Sequence, residues 1–171
     1  MPDFPKIDFK TRYNSFRIDL RVMVLVMLPF AIPYMIYQMV YAKNLHGRID
    51  EYKGALFYIS CIGIALFFCK DCIYGQSPAK RVLKLQVVNN ENGQIANPLR
   101  CLVRNLFDII WPIEAVFLLI NPARRLGDIV GGTKVIPFNP ELPRPEISYV
   151  QIAFSFLLSY AFIIAITFIT N

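Results

Sequence analysis

The chain has 171 residues, of which 56% are apolar and only 18% are charged, and its mean hydropathy is +0.44. This composition excludes an ordinary soluble domain, in which about 25% of residues are charged. Eighteen Lys and Arg against 12 Asp and Glu give a net charge of +6, which in a membrane protein reflects topology and anionic lipid headgroups, so we expect no nucleic-acid partner.

The first predicted element, residues 1–21, is an amphipathic lead-in to a membrane helix. Phe9, Tyr13, Phe16 and Leu20 recur at helical spacing, and basic residues are interspersed among them. One face of this segment can therefore lie among lipid headgroups.

Three apolar runs are predicted to be transmembrane helices. Residues 22–41 and 147–170 carry no charge over 20 and 24 residues, and each can cross about 30 Å of hydrocarbon at ~1.5 Å per residue. Residues 54–69 form a shorter uncharged run of 16 residues, close to the lower limit for a span. Pro29 and Pro33 lie inside the first run and predict a kinked helix.

The polar region between residues 70 and 104 is predicted to lie outside the bilayer. It contains an alternating stretch at residues 82–88, followed by the turn signal N-N-E-N-G at residues 89–93. We expect a short strand with a hairpin-like turn. A second strand, at residues 132–136, can pair with it only if both lie on one side of the membrane.

Residues 106–120 form an apolar segment that differs from the three spans. It contains Asp108 and Glu114 together with the dipeptide Trp111-Pro112, so a straight helix facing lipid is disfavoured. We interpret it as two half-helices that meet near Trp111 to Glu114, dip into the membrane and return. A break at that point could bring both carboxylates to one cavity.

The distribution of Lys and Arg distinguishes a re-entrant segment from a fourth span. If residues 106–120 cross the membrane, 11 basic residues lie on one side and 7 on the other; if they re-enter, the split is 15 to 3. The second split is closer to the cytoplasmic bias of membrane proteins, so we prefer the re-entrant topology with a cytoplasmic amino terminus. The expected fold is an all-α polytopic membrane protein with three transmembrane helices, a re-entrant or fourth spanning segment, and a small cytoplasmic β-hairpin-like element.

Three stretches beyond the second apolar run carry recognisable motifs. Residues 75–88 read G-Q-S-P-A-K-R-V-L-K-L-Q-V-V, residues 102–106 read L-V-R-N-L, and residues 124–135 read R-R-L-G-D-I-V-G-G-T-K-V. In this order they resemble the RDD family of bacterial membrane proteins, over roughly residues 10–136. The resemblance divides the chain into the lead-in 1–21, an RDD-like membrane domain 22–136, a Pro-rich connector 137–146 and an additional carboxyl-terminal helix 147–171.

The resemblance implies which residues give the family its name, an arginine and two aspartates. Arg12 followed seven residues later by Asp19 fits the family interval, and Asp128 is the best-matched later aspartate. Arg17 and Arg21 add charge around Asp19 that the family pattern does not require, and they are its expected partners if that acid is merely interfacial.

Acids near the bilayer are candidates for binding a proton or a monovalent cation, with pairing to basic residues as the alternative role. They are Asp19, Asp108, Glu114 and Asp128.

The basic residues divide into two groups. Arg12, Arg104, Arg124 and Arg125 belong to the family motifs, and Arg104 and Arg124 flank residues 106–120, where they are expected to pair with its acids or with lipid phosphates. A second group, Lys80 and Arg81, is predicted to anchor on lipid headgroups.

No enzymatic site is expected. The sequence has no nucleophile with its base, no phosphate-binding loop and no metal triad, so neither a cofactor nor a bound metal is predicted. Cys69 and Cys72 form a CxxC, but His46 is the only histidine, and we interpret the two thiols as small apolar fillers over a redox or metal site.

The resemblance implies an inner-membrane protein that exchanges Na⁺ or Li⁺ for protons through membrane-embedded carboxylates, because some RDD proteins are associated with that exchange. The alternative is a non-catalytic subunit that docks on and stabilises a larger membrane complex, which the small size and the additional last helix favour. Expected partners are anionic lipids, further copies of the chain or other integral membrane proteins, in the bacterial cytoplasmic membrane.

Overall fold

The computed structural model describes residues 7–44, 54–120 and 124–169, and these ranges are mostly helical with one two-stranded sheet. The architecture confirms the predicted class in outline. In chain order the elements are α1 (Phe9–Asn44), α2 (Ala55–Phe68), α3 (Pro78–Val82), β1 (Leu85–Asn89), α4 (Pro98–Leu106), a 3₁₀ helix (Phe107–Ile110), α5 (Trp111–Ile120), α6 (Leu126–Val130), β2 (Thr133–Pro137) and α7 (Tyr149–Ile169).

Within the described ranges, two helices are long and apolar enough to cross a membrane, judged by length and composition. They are the Phe9–Val40 part of α1 and α7. The helix α2 is also apolar but has 14 residues, and it packs against α1 on one side and α7 on the other. Its role as a third span stays a prediction. The helix α1 continues unbroken from the predicted lead-in through Pro29 and Pro33, and the predicted kink is untested.

The apolar helices pack through a close approach at Gly63 and a modest apolar core. A Cβ built on Gly63 of α2 would lie 3.3 Å from the Cα of Met27 and 3.3 Å from the Cβ of Phe30, so α1 and α2 approach each other closely at this glycine. A core joins α2, α4 and α7, and its buried members are Cys61, Ala65, Phe68, Leu102 and Ile163.

The two predicted strands pair, as the sequence analysis expected. β1 and β2 are antiparallel, with Leu85 opposite Pro137 and Asn89 opposite Thr133. After the predicted turn, a single bridge joins Val88 to Ile95.

The first strand begins later than predicted, because residues 78–82 are helical. Ser77 caps α3 by accepting the N–H of Lys80 at 3.3 Å, and Pro78 occupies the first turn, where its missing N–H costs nothing. Lys84, with φ of 52°, then separates the helix from β1.

Residues 106–120 are divided into two helical pieces, as predicted. The 3₁₀ helix occupies Phe107–Ile110, and Pro112 sits in the first turn of α5, where proline is tolerated. The two helical pieces therefore meet between Ile110 and Trp111, at the start of the predicted region. With 10 residues, α5 is about 15 Å long, half of the hydrocarbon thickness, and the re-entrant topology stays a prediction.

Candidate functional site

Ten charged side chains from helix ends and loops meet in one buried group, here called the charge cluster. Salt bridges of 2.6 to 4.0 Å connect them, and none of the ten side chains is more than 14% exposed. Equal numbers of acids and bases make the cluster neutral when all are ionised, which offsets part of the cost of burying them. The members are Arg12, Lys70, Lys80, Arg104, Arg125, Asp19, Asp71, Asp108, Glu114 and Asp128.

The carboxylate of Asp19, on α1, is bound by the start of α3. It accepts the hydroxyl of Ser77 at 2.6 Å and the backbone N–H of Ala79 at 3.0 Å. The ammonium of Lys80 lies 3.4 Å away. Because Ala79 is fully buried, a small residue is required at this position of the motif.

Asp71 follows α2 and joins two of the motif stretches. Its carboxylate lies 2.8 Å from Lys80 and 3.7 Å from Arg104, and it accepts the N–H of Ser77 at 3.0 Å. Burial alone would raise the pKa of Asp71, but the charges of Lys80 and Arg104 outweigh it and hold that pKa well below the usual range. Asp71 is therefore a permanent anion near neutral pH.

Asp128 is the fully buried anion around which the arginines gather. Arg12 and Arg104 each place a guanidinium nitrogen 3.1 Å from its carboxylate. The backbone N–H of Arg125 donates to it at 3.3 Å. Burial opposes ionisation, but Arg104 and Arg12 outweigh it and keep the pKa of Asp128 well below the usual range.

Arg125 links the cluster to the 3₁₀ helix. It lies 2.7 Å from Asp108, whose other oxygen is 2.6 Å from Lys70. Arg125 also donates to the side-chain oxygen of Asn105 at 3.3 Å, and the Asn105 amide donates to the carbonyl of Phe68 at 2.9 Å. The end of α2 is thereby tied to the cluster.

Glu114 is the acid of the cluster with the weakest pairing. Its Oε1 accepts the N–H of Gly127 at 2.7 Å. Its Oε2 has no hydrogen-bond partner in the described part of the chain, and the nearest cation, the Nε of Arg125, is 4.0 Å away. A Cβ on Gly127 would collide with the carbonyl of Arg104 and lie 2.8 Å from the Glu114 carboxylate, so only glycine fits there.

A partly open cavity of about 220 Å³ lies beside the charge cluster. One part of its lining is charged, and another part is aromatic or aliphatic. The charged lining includes Arg12, Asp19, Arg104, Asp108, Glu114 and Arg125, and the apolar lining includes Phe9, Tyr13, Phe16 and Leu119. Asp108 and Glu114 line the same cavity, as a break between them predicted.

Residues 8–170 match the RDD family, which is nearly the whole chain. The chain belongs to the RDD family. No curated protein and no solved structure matches it. The family match includes α7, so the expectation that the last helix lies outside the resemblance is wrong. This helix packs against α2 and α4 and is part of the RDD unit.

All three motif stretches of this RDD chain contribute to the charge cluster. Arg12 and Asp128, which the resemblance singled out, form a direct ion pair across 116 residues of sequence. Asp19, the third such residue, is tied to Asp128 through Lys80, Asp71 and Arg104. The motifs are therefore spaced along the sequence but joined in space.

Several expected partners of the charged residues are wrong. Asp19 binds Lys80, and not Arg17 or Arg21, in the salt bridges of the described residues. Lys80 is not a headgroup anchor, because its side chain is 7% exposed and bonded to two carboxylates. Arg81 is exposed, so its predicted contact with lipid headgroups stays possible in this geometry.

The arginines next to residues 106–120 also differ from expectation. Arg104 pairs with Asp71 and Asp128, and Arg124 donates to the backbone carbonyl of Asp128 at 3.4 Å. It is Arg125 that meets Asp108 and Glu114, since it forms the N-cap of α6 and its side chain turns back toward α5.

Sequence reasoning missed Asp71 and Lys70. The only available signal was their position directly after an apolar helix, where a charge either reaches the headgroups or folds back to a buried partner. Nothing in the spacing connects Asp71 with Arg104, 33 residues later.

Three of the four cysteines are buried, and Cys69 is half-buried. Cys72 and Cys101 pack with Val87 and Ala96 in a small apolar core beneath the sheet, and all four thiols of the chain are free. Burial raises the pKa of the Cys101 thiol to about 12, so it is neutral and unreactive near pH 7.

Proposed function

We propose that this RDD protein exchanges Na⁺ or Li⁺ for protons, with Glu114 as the carboxylate that alternates between a proton and the alkali cation. The observation that carries the proposal is that the buried Oε2 of Glu114 has no hydrogen-bond partner among the described residues, in a side chain that lines the partly open cavity. A buried carboxylate with an unsatisfied oxygen favours neutralisation by whichever small cation reaches it.

The comparison with the other acids supports Glu114 as the exchanging group. Asp19, Asp71, Asp108 and Asp128 each have a Lys or Arg nitrogen within 3.4 Å, whereas the nearest one to Glu114 is at 4.0 Å. A proton or cation must displace a close ion pair at the first four sites, but not at Glu114. The guanidinium of Arg125 lies near both Asp108 and Glu114. It therefore stays paired with Asp108 when Glu114 is neutralised.

The proposed location is the bacterial cytoplasmic membrane, with the amino terminus and the sheet on the cytoplasmic side. The 15 to 3 split of basic residues supports this orientation. One copy has few helices with which to enclose a pathway, so the proposal includes assembly of several copies.

Exchange is tested with the purified chain in sealed vesicles, by recording the internal pH after Na⁺ or Li⁺ is added outside. Glu114→Gln keeps the hydrogen bond to Gly127 and removes the titrating charge, so we expect it to lower the rate about tenfold or more. Glu141→Gln is the matched control, because Glu141 is exposed and outside the cluster. An unmodified chain that moves no ions, or a Glu114→Gln chain that equals the control, would contradict the proposal.

One observation favours the alternative, a non-catalytic subunit that stabilises a larger membrane complex. Four of the five cluster acids are held in close ion pairs, and a purely structural role accounts for such pairs without any transport. Extraction in a mild detergent separates the two functions. A stable hetero-complex together with inactive vesicles supports the subunit, and a homo-oligomer with ion exchange supports transport.

A further inference from the structure

Two cysteines are joined by a tight turn directly after α2. Cys69 is the C-cap of the helix, and the N–H of Cys72 donates to the carbonyl of Cys69 at 3.0 Å. A turn closed by such a bond keeps its first and fourth Cα atoms within about 7 Å of each other, and disulfides join Cα atoms that are about 4.4–6.8 Å apart. The backbone therefore holds the two cysteines at a separation that a disulfide bridges.

The side chains of this pair are also close together. Cys69 packs against the small apolar core that contains Cys72 and Cys101, and the thiols of Cys69 and Cys72 interact directly. Both thiols are free, and the Cys72 thiol donates to the carbonyl of Pro98 at 3.4 Å. The pair is thus a reduced dithiol and not two isolated thiols.

The two thiols differ in their access to solvent. Cys69 is half-buried, whereas Cys72 is 3% exposed and lines a partly open cavity of about 100 Å³. The interaction with Cys69 and burial together raise the pKa of the Cys72 thiol above its ordinary value. Cys69 is therefore the thiol that meets a reagent from solution first, and Cys72 reacts second.

The turn between the two cysteines carries two members of the charge cluster. Lys70 and Asp71 each hold an ion pair there, at 2.6 Å and 2.8 Å. A bond between Cys69 and Cys72 closes a ring around these two residues and restricts the backbone that carries them. The redox state of the pair thus bears on how firmly the end of α2 is held in the cluster.

We propose that Cys69 and Cys72 are a redox-active dithiol, which glutathione disulfide converts to a reversible disulfide that fixes the turn holding Lys70 and Asp71. With the predicted topology the pair lies on the cytoplasmic side, where protein disulfides are mostly transient and redox-sensing. The pair does not include Glu114, so this proposal is independent of the proposed ion exchange.

The oxidation proceeds by two thiol–disulfide exchanges. The sulfur of Cys69 attacks one sulfur of glutathione disulfide, and the first glutathione leaves with the thiol proton. The sulfur of Cys72 then attacks Cys69 in the mixed disulfide, and the second glutathione leaves with the second proton. Two thiols of the chain are oxidised while one glutathione disulfide is reduced to two glutathione molecules, so atoms and electrons balance.

The test uses the full chain in dodecyl maltoside, equilibrated with reduced and oxidised glutathione at several ratios. Free thiols are then blocked with N-ethylmaleimide, and the chymotryptic peptide 69–74 is weighed by mass spectrometry. We expect this peptide to lose two hydrogens, and dithiothreitol to reverse the loss. In the folded chain the disulfide should form at about tenfold less oxidised glutathione than in the chain unfolded in guanidinium, because the turn holds the thiols together.

Thermodynamic linkage gives a second measurement. A disulfide that is about tenfold more favourable in the folded chain stabilises that state over the unfolded one by the same factor. The oxidised chain should therefore require more denaturant to unfold than the reduced chain does.

Matched variants identify the sulfurs. Cys72→Ser keeps a hydroxyl donor for Pro98 but should stop at the mixed disulfide between Cys69 and glutathione, without the gain in stability. Cys101→Ala, which removes the other buried thiol of the same core, should still form the disulfide. Cys61→Ala, in the core of α2, is the control for loss of a buried thiol elsewhere and should also form it.

Three results would overturn the dithiol. The first is an absence of any protein disulfide in the folded chain at every glutathione ratio. The second is a disulfide that joins Cys72 to Cys101. The third is a disulfide that forms no more readily in the folded chain than in the unfolded one, because the fold then does nothing to prepare the pair. Ion movement is not measured in this test, so its failure leaves the exchange proposal untouched.

Discussion

Along α1, Leu25, Met35 and Met39 are 64% to 69% exposed, whereas no side chain of the charge cluster exceeds 14%. The membrane helices thus turn large apolar side chains outward and meet through a small core, while the polar end of the molecule buries ten charges. In lipid there is little hydrophobic drive for helices to associate. The difference indicates that ion pairs and backbone hydrogen bonds fix the arrangement of the chain, and that the apolar helices mainly fix its place in the membrane.

The largest expected effect comes from removing the central anion. Asp128→Ala leaves Arg12 and Arg104 buried without their shared partner, and we expect a loss of about 3–5 kcal/mol in the free energy of unfolding. Leu25→Ala, on the exposed surface of α1, should change it by less than about 0.5 kcal/mol. Denaturant unfolding in one detergent compares the two. Similar losses would show that the apolar helices contribute as much as the cluster.

Acid should weaken the cluster before it affects the apolar helices. The pKa values of Asp71 and Asp128 are lower in the folded chain than their ordinary value of 3.8, so their stabilisation is complete above about pH 4 and is lost as the pH falls below that value.

The measurement is the free energy of unfolding between pH 7 and pH 2.5. It should be flat down to about pH 4.5 and then fall, and the gap between the unmodified chain and Asp128→Ala should narrow in the acid range. A gap that stays constant to pH 2.5 would mean that Asp128 is not stabilised by its arginines.

Two glycine substitutions compare the packing beside the charge cluster with the packing between α1 and α2. In Gly127→Ala the new Cβ collides with the carbonyl of Arg104 and crowds the Glu114 carboxylate, so we expect a loss of about 1–3 kcal/mol in unfolding free energy. In Gly63→Ala the nearest atoms, in Met27 and Phe30, are 3.3 Å away, and a small shift of α1 relieves them. We expect Gly63→Ala to cost less than half as much by the same unfolding measurement, and the reverse order would refute this comparison.

The prediction with the smallest expected effect on stability concerns the membrane topology and uses single cysteines as labels. Asn92 is exposed in the turn after β1, and Asn139 is half-buried two residues after the end of β2; the charge split predicts that both lie in the cytoplasm. Single cysteines at these positions in a cysteine-free background should react only with a thiol reagent that enters the cell. Labelling of position 139 by an impermeant reagent would contradict the re-entrant topology.

Hydropathy and motif order were sufficient to predict the class, the apolar helices and the pairing of the two strands. Each of these depends on local composition or on alternation within a few residues. The start of β1 was misplaced because the Ser77 cap and Pro78 favour a helical turn that hydropathy does not report.

The partners within the site could be predicted only in part. The sequence supplied Asp108 and Glu114 as a pair, but it pointed to Arg104 and Arg124 as their partners. One residue of difference between Arg124 and Arg125 decides which side chain faces inward at the start of α6, and that direction depends on tertiary packing. Asp71 was missed because its partners, Lys80 and Arg104, are brought to it by the fold.

The sheet described above also constrains how often the chain passes through the bilayer. Pairing of Asn89 with Thr133 returns the chain to its starting face after residues 90–132. If both strands lie outside the bilayer, as the basic residues predict, the chain between them crosses the membrane an even number of times, as in the re-entrant prediction for residues 106–120. The pairing of these two five-residue strands is therefore consistent with the predicted topology, which stays a prediction.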